Sequence, residues 1–460
     1  MRFLLFVLLF APQQAPAPLP LPNDRPLLGG VPSGPPTSGV LDLTLPDAIE
    51  RGLTRNLGLL LGEQRVRSAE GARTKALSDL MPHLSAYLSG ARQKINLEAF
   101  GFTGAGFPNI APLVGPFNVF DARASVTESI VNFEALHKTH AESARIDAAR
   151  LSYEDLRDVV VLVCGDLYLR TVAEESRIDA SRAQFETARA LFELARHRKE
   201  AGLVPSVDVL RADVERAARE HDTIVAENRF AKAKLVLARA IGLPLGQEYR
   251  LADRVSYSPF PALSLEDALK TAYEHRADWK AGQARLRAAE FARRSAEGKR
   301  LPSLELRADY GALGANVGDS RATYALGAAV RVSLFDGGKT NGEVREADAA
   351  LEAERAALED LRARVRYEVE EASLDLSAAQ QSVGVAERAV ALTKEQLTQA
   401  QDRFQAGVAN NIDVVQAQEA VARATEAYIA SVYDHNLAKA TLARAVGTAE
   451  ESYKQLLGGR

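Results

Sequence analysis

The chain has 460 residues, a formal net charge of −4 and a single cysteine, Cys164. This charge gives no reason to expect a nucleic-acid partner, which requires a basic face. One cysteine excludes an intramolecular disulfide and a cysteine-based metal cluster. Because Cys164 lies in the apolar helical run VVVLVCGDLYL, we expect it to be a buried small hydrophobe.

The chain begins with the pattern of an export signal. MRFLLFVLLF places one arginine before an apolar run, and APQQA follows, so residues 1–15 are predicted to be a secretory signal peptide. Residues 16–40 are rich in Pro and Gly and are predicted to be a disordered leader. No other run approaches the ~18 consecutive apolar residues of a spanning helix. If the chain crosses a membrane, we expect it to do so with strands.

The first half of the mature chain reads as helix, two strands and a long helix. Helical spacing runs from Leu45 to about Asp79 and stops at Met81-Pro82. Residues 83–93 and 119–131 alternate apolar and polar positions, which predicts strands. Between them lies the Gly/Phe/Pro-rich loop Asn96–Asn118. Helical spacing then continues from Phe133 to Ala201.

A hairpin tip is predicted where that long helix ends. RKEAGLVPSVDVLRA spans Arg198–Ala212, with helical patterns on both sides. Gly202 suits the left-handed residue that ends one helix, and Ser206 suits the N-cap of the next. We therefore predict a turn at 201–206, followed by a helix over Pro205–Ile241.

The second half repeats this order. RFQAGVANNIDVVQA aligns with the first tip without a gap, and Gly202 and Gly407 are 205 residues apart. The same offset carries LARAIG onto LARAVG, and an offset of 220 relates the segments before the long helices. The predicted units are a first repeat at 41–242, an equatorial linker at 243–264, a second repeat at 265–447 and a tail at 448–460. Within the second repeat we predict helices over Leu265–Gly298, Gly338–Ala406 and Ile412–Val446, strands at 303–312 and 323–335, and a tip at 406–411 with Asn411 as N-cap.

The helices carry two apolar seams of period seven, Val344, Leu351, Leu358, Val365, Ala372, Ala379, Ala386 and Ala400 beside Val369, Leu376, Val383, Val390, Leu397 and Phe404. Two seams indicate a coiled coil that packs on more than one neighbour. Each long helix would extend on the order of 100 Å. The shorter helices sum in pairs to about the same length, so short helices stacked end to end are predicted to line each long one.

The four alternating segments are each about ten residues long, which is the span of a tilted strand in a bilayer. Their polar positions are the candidates for facing a lumen: Arg123, Glu305, Arg307, Asp309 and Arg331. Four strands leave two edges with unpaired backbone groups, which hydrocarbon does not tolerate. Two copies would give eight strands and a filled interior, whereas three give twelve and leave a channel. The fold class is therefore mainly α with a small transmembrane β part: duplicated long antiparallel helical hairpins plus four strands per chain, trimerising into a 12-stranded β-barrel.

The duplicated plan resembles the TolC-like outer-membrane efflux protein family. The resemblance rests on the order of the segments, the two Arg-x-x-x-Gly…Asp-Val tips and VSLFDGGKTNGEV at Val332–Val344, where a strand becomes a long helix. It implies a homotrimeric channel in outer-membrane lipid, in which the 12-stranded β-barrel is continued by a periplasmic α-helical barrel. We expect the loop Asn96–Asn118 to cap the outer mouth of this channel, and we expect no cofactor. It also implies a periplasmic adaptor and an inner-membrane pump as partners, in drug or metal efflux or type I secretion.

The resemblance also assigns roles to single residues. Gly202, Leu203, Gly407 and Val408 would meet the adaptor, although the same residues simply make a turn. Asp413 falls where the family has an acidic residue at the closed periplasmic mouth.

The sequence departs from the best-known gate pattern, because Ala409 replaces an arginine and Gln416 a second acid. Asp208 and Asp413 both lie in the first turn of a helix, where a carboxylate favours the helix dipole. A structural role and a gating role for Asp413 both stay open.

Other signals point away from an enzyme. His137 and His140 are three residues apart on a helix, but nothing completes a metal site. Gly337-Gly338-Lys339-Thr340 resembles the end of a phosphate loop, but Ser333 stands where the motif needs its first glycine. The competing prediction is a periplasmic coiled-coil scaffold or adaptor without a channel. It explains the helices and tips but not four alternating segments at matching places in both halves.

Overall fold

The computed structural model describes the chain except for residues 1–25, 38, 101–110, 254–256, 261–263, 407, 409–410 and 457–460. The predicted signal peptide and the first part of the leader therefore lie outside the described residues. Among the described residues, no helix combines the length and the hydropathy that crossing a membrane requires. The helices are α1 (Leu45–Arg55), α2 (Leu57–Ser78), α3 (Phe133–Glu200), α4 (Ser206–Ala240), α5 (Leu265–His275), α6 (Ala277–Gly298), α7 (Lys339–Gln405), α8 (Asn411–Ala445) and α9 (Ala449–Leu456). The strands are β1 (Leu41–Leu43), β2 (His83–Asn96), β3 (Leu113–Val131), β4 (Tyr249–Leu251), β5 (Ser303–Gly314) and β6 (Arg321–Arg331).

Two long helices organise the described chain. α3 has 68 residues and α7 has 67, so each extends about 100 Å. α4 packs along the tip-side half of α3, and α1 and α2 pack along its other half; α8, α5 and α6 do the same for α7. On α7 both predicted seams are buried, with Val344, Leu351, Val365, Ala372 and Ala386 on one and Val369, Leu376, Val383 and Phe404 on the other. The predicted lining of each long helix by shorter ones is confirmed.

Each predicted first helix of a repeat is instead two helices. The break falls at Asn56 between α1 and α2 (φ −62°, ψ 131°) and at Arg276 between α5 and α6 (φ −56°, ψ 119°). These two positions are related by the same offset of 220 residues. An extended ψ places one residue outside the helical region, so the ladder of backbone hydrogen bonds restarts after it.

The largest apolar core lies at the middle of α3. It collects residues from both ends of the first repeat, including Ile49, Cys164, Tyr168 and Ile241. The two-stranded parallel sheet of β1 and β4 closes beside it, and α9, in the predicted tail, buries Tyr453 against it. A second core surrounds the middle of α7. Each core joins segments that are far apart in sequence. Packing in the middle of the chain therefore sets the orientation of the helical hairpins.

The other four strands form one antiparallel sheet in the order β2-β3-β5-β6. Its register aligns Leu84, Val126, Ala308 and Leu326 in one row across the strands, so the predicted alternation of faces is confirmed. Two predicted strand bounds were wrong by about four residues or more, and the others differ by less. β3 begins at Leu113, inside the predicted loop, and β6 ends at Arg331, so Val332 and Leu334 lie beyond the strand.

Candidate channel surfaces and hairpin tips

The polar face of the sheet holds all five predicted lumen residues. Arg123 pairs with Asp309 across β3 and β5, and its Nε lies 3.3 Å from an oxygen of Asp121 on its own strand. Glu305 accepts from Arg307 at 2.8 Å and lies 3.7 Å from Arg331 on β6. Asp121 was not among the predicted candidates, although its place in the alternation could have identified it. Each of these two groups contains both positive and negative side chains. The face is therefore hydrophilic without a strong net charge.

The opposite face of the sheet is apolar and uncovered. Leu84, Leu88, Leu326 and Val330 have exposed fractions of 68% or more. Tyr310 and Tyr324 lie directly opposite each other on this face. Large exposed apolar patches mark interaction surfaces. A sheet with one charged and one apolar face suits a boundary between water and lipid.

The two outer strands of this sheet, β2 and β6, each have one neighbouring strand within the described chain. Each therefore presents a row of backbone N–H and C=O groups without a strand partner. In hydrocarbon, such groups must be paired by another strand. The sheet of one chain is thus incomplete by itself as a membrane structure.

The first hairpin tip is a tight reversal between α3 and α4. Gly202 has φ +72°, and its N–H donates to the Lys199 oxygen at 2.9 Å, while the Leu203 N–H donates to the Arg198 oxygen at 2.8 Å. This is the Schellman ending of a helix, which glycine supports without steric cost. The Leu203 side chain is 73% exposed. The tip therefore presents an apolar side chain to solvent on a rigid turn.

The second tip repeats this hydrogen-bond pattern. The Val408 N–H donates to the Arg403 oxygen at 3.0 Å, as Leu203 does to Arg198, and the Val408 side chain is 68% exposed. Gly407 lies outside the described residues. The predicted N-caps were wrong. Ser206 is the first residue of α4 behind Pro205, which makes no side-chain cap, and Asn411 is already inside α8.

Arg198 ties the two tips together, a contact that the sequence analysis missed. Its guanidinium donates to the Phe404 oxygen at 2.7 Å and to the Gln405 oxygen at 2.8 Å, and lies 4.7 Å from the centre of the Phe404 ring. It thereby satisfies terminal carbonyls of α7. Leu191, Phe404 and Val414 form a small core below it. The signal was present, because the tip motif repeats this arginine as Arg403.

The two acidic tip residues occupy equivalent places in the first turns of α4 and α8. Asp208 is largely buried and lies 3.5 Å from Arg211, whereas Asp413 is exposed. An apolar groove lies between these helix starts, lined by Val207, Leu210 and Val214 of α4 and by Ile412 and Val415 of α8. The helix starts of the two repeats therefore meet at the tip end of the chain.

Asn56 and Arg276, at the two helix breaks in the middle of the chain (the equator), make equivalent contacts with the ends of α4 and α8. The Asn56 amide donates to the Ala240 oxygen at 3.3 Å and to the Leu27 oxygen at 2.7 Å. The Arg276 guanidinium donates to the Ala445 oxygen at 3.1 Å, and Ala240 and Ala445 are themselves repeat equivalents. The side chain at each break is thus hydrogen-bonded to the last residue of α4 or of α8.

Arg276 also forms a buried ion pair. It is 1% exposed and contacts Asp278 at 2.7 Å and Glu368 at 2.6 Å. Burial alone would lower the pKa of the guanidinium, but its hydrogen bonds to Asp278 and Glu368 outweigh burial and raise the pKa. Burial likewise opposes ionisation of Asp278, yet the hydrogen bond from Arg276 holds the pKa of that carboxyl below its usual range. Both groups are therefore charged at neutral pH.

The histidines and the cysteine take packing positions. The His140 ring meets the Phe291 ring edge-on at 5.3 Å between centres, and His137 lies 6.2 Å from His140. Among the described residues no group of side chains is arranged to hold a metal ion. Cys164 is fully buried, as predicted, and burial raises the pKa of its thiol to about 12.

Comparison with known proteins identifies this architecture. The family model described as Outer membrane efflux protein matches residues 48–243 and 268–448, which is most of the chain. The pyoverdine export outer membrane protein OpmQ of Pseudomonas aeruginosa is 24% identical over 430 residues, covering 90% of this chain and 85% of OpmQ. Protein CyaE of Bordetella pertussis is 26% identical over 400 residues, covering 84% of this chain and 80% of CyaE.

Solved structures share the fold. The crystal structure of the outer membrane protein VceC of Vibrio cholerae superposes with a TM-score of 0.75 at 19% identity, covering 88% of this chain and 96% of VceC. The predicted fold of one chain, with its helical hairpins and its strands, is therefore confirmed. The family match and this fold agree with the duplicated hairpins, the two-faced sheet and the paired tips, and the chain belongs to the outer membrane efflux protein family.

Proposed function

We propose that three copies of this chain form a passive exit duct across the outer membrane and the periplasm, for substrates that an inner-membrane pump delivers through a periplasmic adaptor. The single observation that carries the proposal is the four-stranded sheet, with one charged face, one exposed apolar face and two unpaired edges. Pairing β6 of one copy with β2 of the next satisfies both edges, and three copies close twelve strands. A scaffold without a channel gives no reason for such a sheet.

In this assembly the charged face lines the water-filled pore. Arg123, Glu305, Arg307, Asp309 and Arg331 then contact water, while Leu84 and Leu326 contact lipid. Because Arg123 and Glu305 are each held among side chains of opposite charge, the strand region provides a wide, weakly selective passage. Cargo selection then belongs to the pump, and the pyoverdine export named for OpmQ does not fix the cargo of this chain.

The assembly is tested with purified, detergent-solubilised protein. We expect a native mass of three chains and discrete conductance steps in planar bilayers. A monomer that never enters bilayers would remove the duct. A soluble periplasmic species in cell fractionation would favour the scaffold instead.

The tips dock the adaptor in this proposal. Gly202 and Gly407 shape the turns, and Leu203 and Val408 present exposed apolar side chains at the far end of the helices. Leu203→Asp is expected to reduce adaptor co-purification, because a desolvated charge opposes apolar docking. Leu245→Asp is the matched control, since Leu245 is 87% exposed but lies at the equator. Equal loss in both variants would contradict docking at the tips.

Asp413 is the proposed charged group of the periplasmic entrance. Its exposure in the first turn of α8, beside the groove between α4 and α8, supports this role, and three copies would form a ring of carboxylates. Asp208 takes the structural role in the other tip, where it lies largely buried near Arg211. We further propose that the chain carries out transport without catalysis, in keeping with a family of channels.

A further inference from the structure

A cavity of about 310 Å³ lies between the two helical hairpins, about 20 Å from their tips. All four helices of the hairpins line it: Ala180 and Ala183 come from α3, Arg219 from α4, Leu397 from α7 and Gln418 from α8. The cavity has the size of a small-molecule site, and spaces between the helices of bundles are common places for such sites.

The Gln418 side chain is buried in this cavity without a hydrogen-bond partner. It is 7% exposed, and neither its Nε2 nor its Oε1 atom has a partner among the described residues. A buried polar group without a hydrogen bond costs free energy, so such groups are rare in folded proteins. The side-chain amide offers two N–H donors and one carbonyl acceptor. A molecule that satisfies it must therefore both accept and donate hydrogen bonds.

The equivalent place in the first repeat carries an ion pair instead. At the offset of 205 residues, Gln418 and Val421, which both line the cavity, correspond to Asp213 and Arg216. Asp213 and Arg216 lie 2.9 Å apart on α4 and satisfy each other. On α8 this pair is replaced by an apolar side chain and by an amide that has no partner. The second repeat therefore differs from the first at the very residues that line the cavity.

A second ion pair of the first repeat is also absent from the second repeat, at the rim of the cavity. Arg189 of α3 pairs with Glu186 at 3.0 Å, but their equivalents on α7 are Lys394 and Ala391. Lys394 lines the cavity, is exposed and has no ion-pair partner within the described part of the chain. The other cation of the cavity, Arg219, is already paired with two carboxylates of its own helix. The rim therefore offers one ammonium group to an anionic ligand.

We propose that this cavity binds a small organic anion that carries an amide group and an apolar side chain, the class of N-acyl amino acids. The amide of the ligand pairs with Gln418: its carbonyl accepts a hydrogen bond from Nε2, and its N–H donates to Oε1. The carboxylate of the ligand pairs with Lys394 at the rim, and its apolar side chain packs against Ala180 and Leu397. All of these residues belong to one chain, so the site goes beyond the exit duct and does not depend on it.

Binding is tested with N-acetyl-leucine, by calorimetric titration of the purified full-length protein in detergent against detergent alone. We expect saturable binding. Isocaproate keeps the carboxylate and the apolar side chain but lacks the amide, and it should bind about tenfold more weakly because Gln418 stays unpaired. Equal affinity for the two compounds overturns the pairing with Gln418. Absence of saturable binding of N-acetyl-leucine means that water alone fills the cavity and overturns the site.

Two variants test the cavity itself. Gln418→Leu removes the amide and should weaken the binding of N-acetyl-leucine about tenfold, to the level of isocaproate. Because this change also removes an unpaired buried group, the unfolding temperature should not fall, and the loss of binding is then not due to unfolding. Ala180→Leu places a larger side chain in the cavity and should abolish binding.

Gln399→Leu is the matched control, because Gln399 is an exposed glutamine of α7 outside the cavity. This variant should bind N-acetyl-leucine as the unaltered protein does. Unchanged affinity in either Gln418→Leu or Ala180→Leu overturns the site, and so does an equal loss in the control.

The role of the ammonium group at the rim is tested with an uncharged probe. N-acetyl-leucine methyl ester lacks the negative charge and should bind the unaltered protein about threefold more weakly than the acid, because exposed ion pairs contribute little. Added salt should reduce this difference. In Lys394→Gln the acid and the ester should bind equally. A preference for the acid that persists in this variant overturns the assignment of Lys394.

Discussion

Replacing Arg276 by methionine tests the claim that this residue holds the equator. The change keeps an apolar stem but removes the guanidinium from Asp278, Glu368 and the Ala445 carbonyl. Removing one partner of a buried ion pair costs about 3–5 kcal/mol. Because the Glu368 side chain is 38% exposed and water can solvate it, we expect the lower end, about 3 kcal/mol.

Two control variants are expected to lose less free energy of unfolding. Asn56→Ala removes neutral hydrogen bonds at the equivalent break and should cost about 1–3 kcal/mol. Arg67→Met breaks an exposed pair on α2, in which the Arg67 side chain is 65% exposed, and should cost about 0–1 kcal/mol. The single tryptophan, Trp279, lies three residues after Arg276 with its ring 5.5 Å from that of Tyr273, so its fluorescence reports on this region. With a slope of about 3 kcal/mol per M urea, the Arg276 variant should shift the midpoint by about 1 M.

At acidic pH the difference in free energy of unfolding between the unaltered protein and the Arg276→Met variant should become smaller. The pKa of Asp278 is lowered in the folded state, so its ionised form stabilises the fold above the unfolded value of about 3.9. This contribution is lost as the pH falls through the lower, folded pKa. Without Arg276, burial dominates and raises the pKa of Asp278, so the variant has no such contribution to lose. A midpoint shift no larger than that of Arg67→Met, or one that stays constant in acid, would refute the reasoning.

Three further predictions concern the ends of the molecule. Gly202→Ala places a Cβ at φ +72° and should destabilise the tip by about 1 kcal/mol, measured as faster proteolysis at the tip, while leaving the trimer intact. Leu326→Arg should cost about 2–4 kcal/mol of insertion free energy, because residue 326 faces lipid. Ala325→Arg, on the pore face, should insert normally and shift ion selectivity. Equal insertion of both variants would contradict the assignment of faces. Asp413→Ala should raise single-channel conductance and weaken cation selectivity, and recordings identical to those of the unaltered channel would assign Asp413 a purely structural role.

The sequence predicted the hairpins because two copies of one pattern support each other. The tips, the long helices and the alternation of the strands depend on local sequence, and each pattern occurs in both repeats. The breaks at Asn56 and Arg276 were not predicted, because neither residue is a glycine or a proline, although Asn56 caps the start of α2 with its side chain. They are held by the carbonyls of Ala240 and Ala445, which are remote in sequence.

The end of β6 shows the same limit at short range. Apolar alternation continues through Val332 and Leu334, which favours a longer strand. The Asp336 side chain instead accepts hydrogen bonds from the N–H groups of Gly338 and Thr340, at 3.1 and 2.9 Å, and starts α7 there. At the tips, the repeated arginine was visible, but its contact with the neighbouring helix end needed the packed structure. The boundaries of the predicted domains stay predictions.

The unequal connections of the sheet shape the face that the cell shows to its surroundings. β2 ends at Asn96 and β3 begins at Leu113, whereas β5 ends at Gly314 and β6 begins at Arg321. In the proposed trimer, long and short connections would therefore alternate around the ring. In that trimer the longer connection would offer the larger target to antibodies and phages, and changes in its length would leave the pairing of the strands intact.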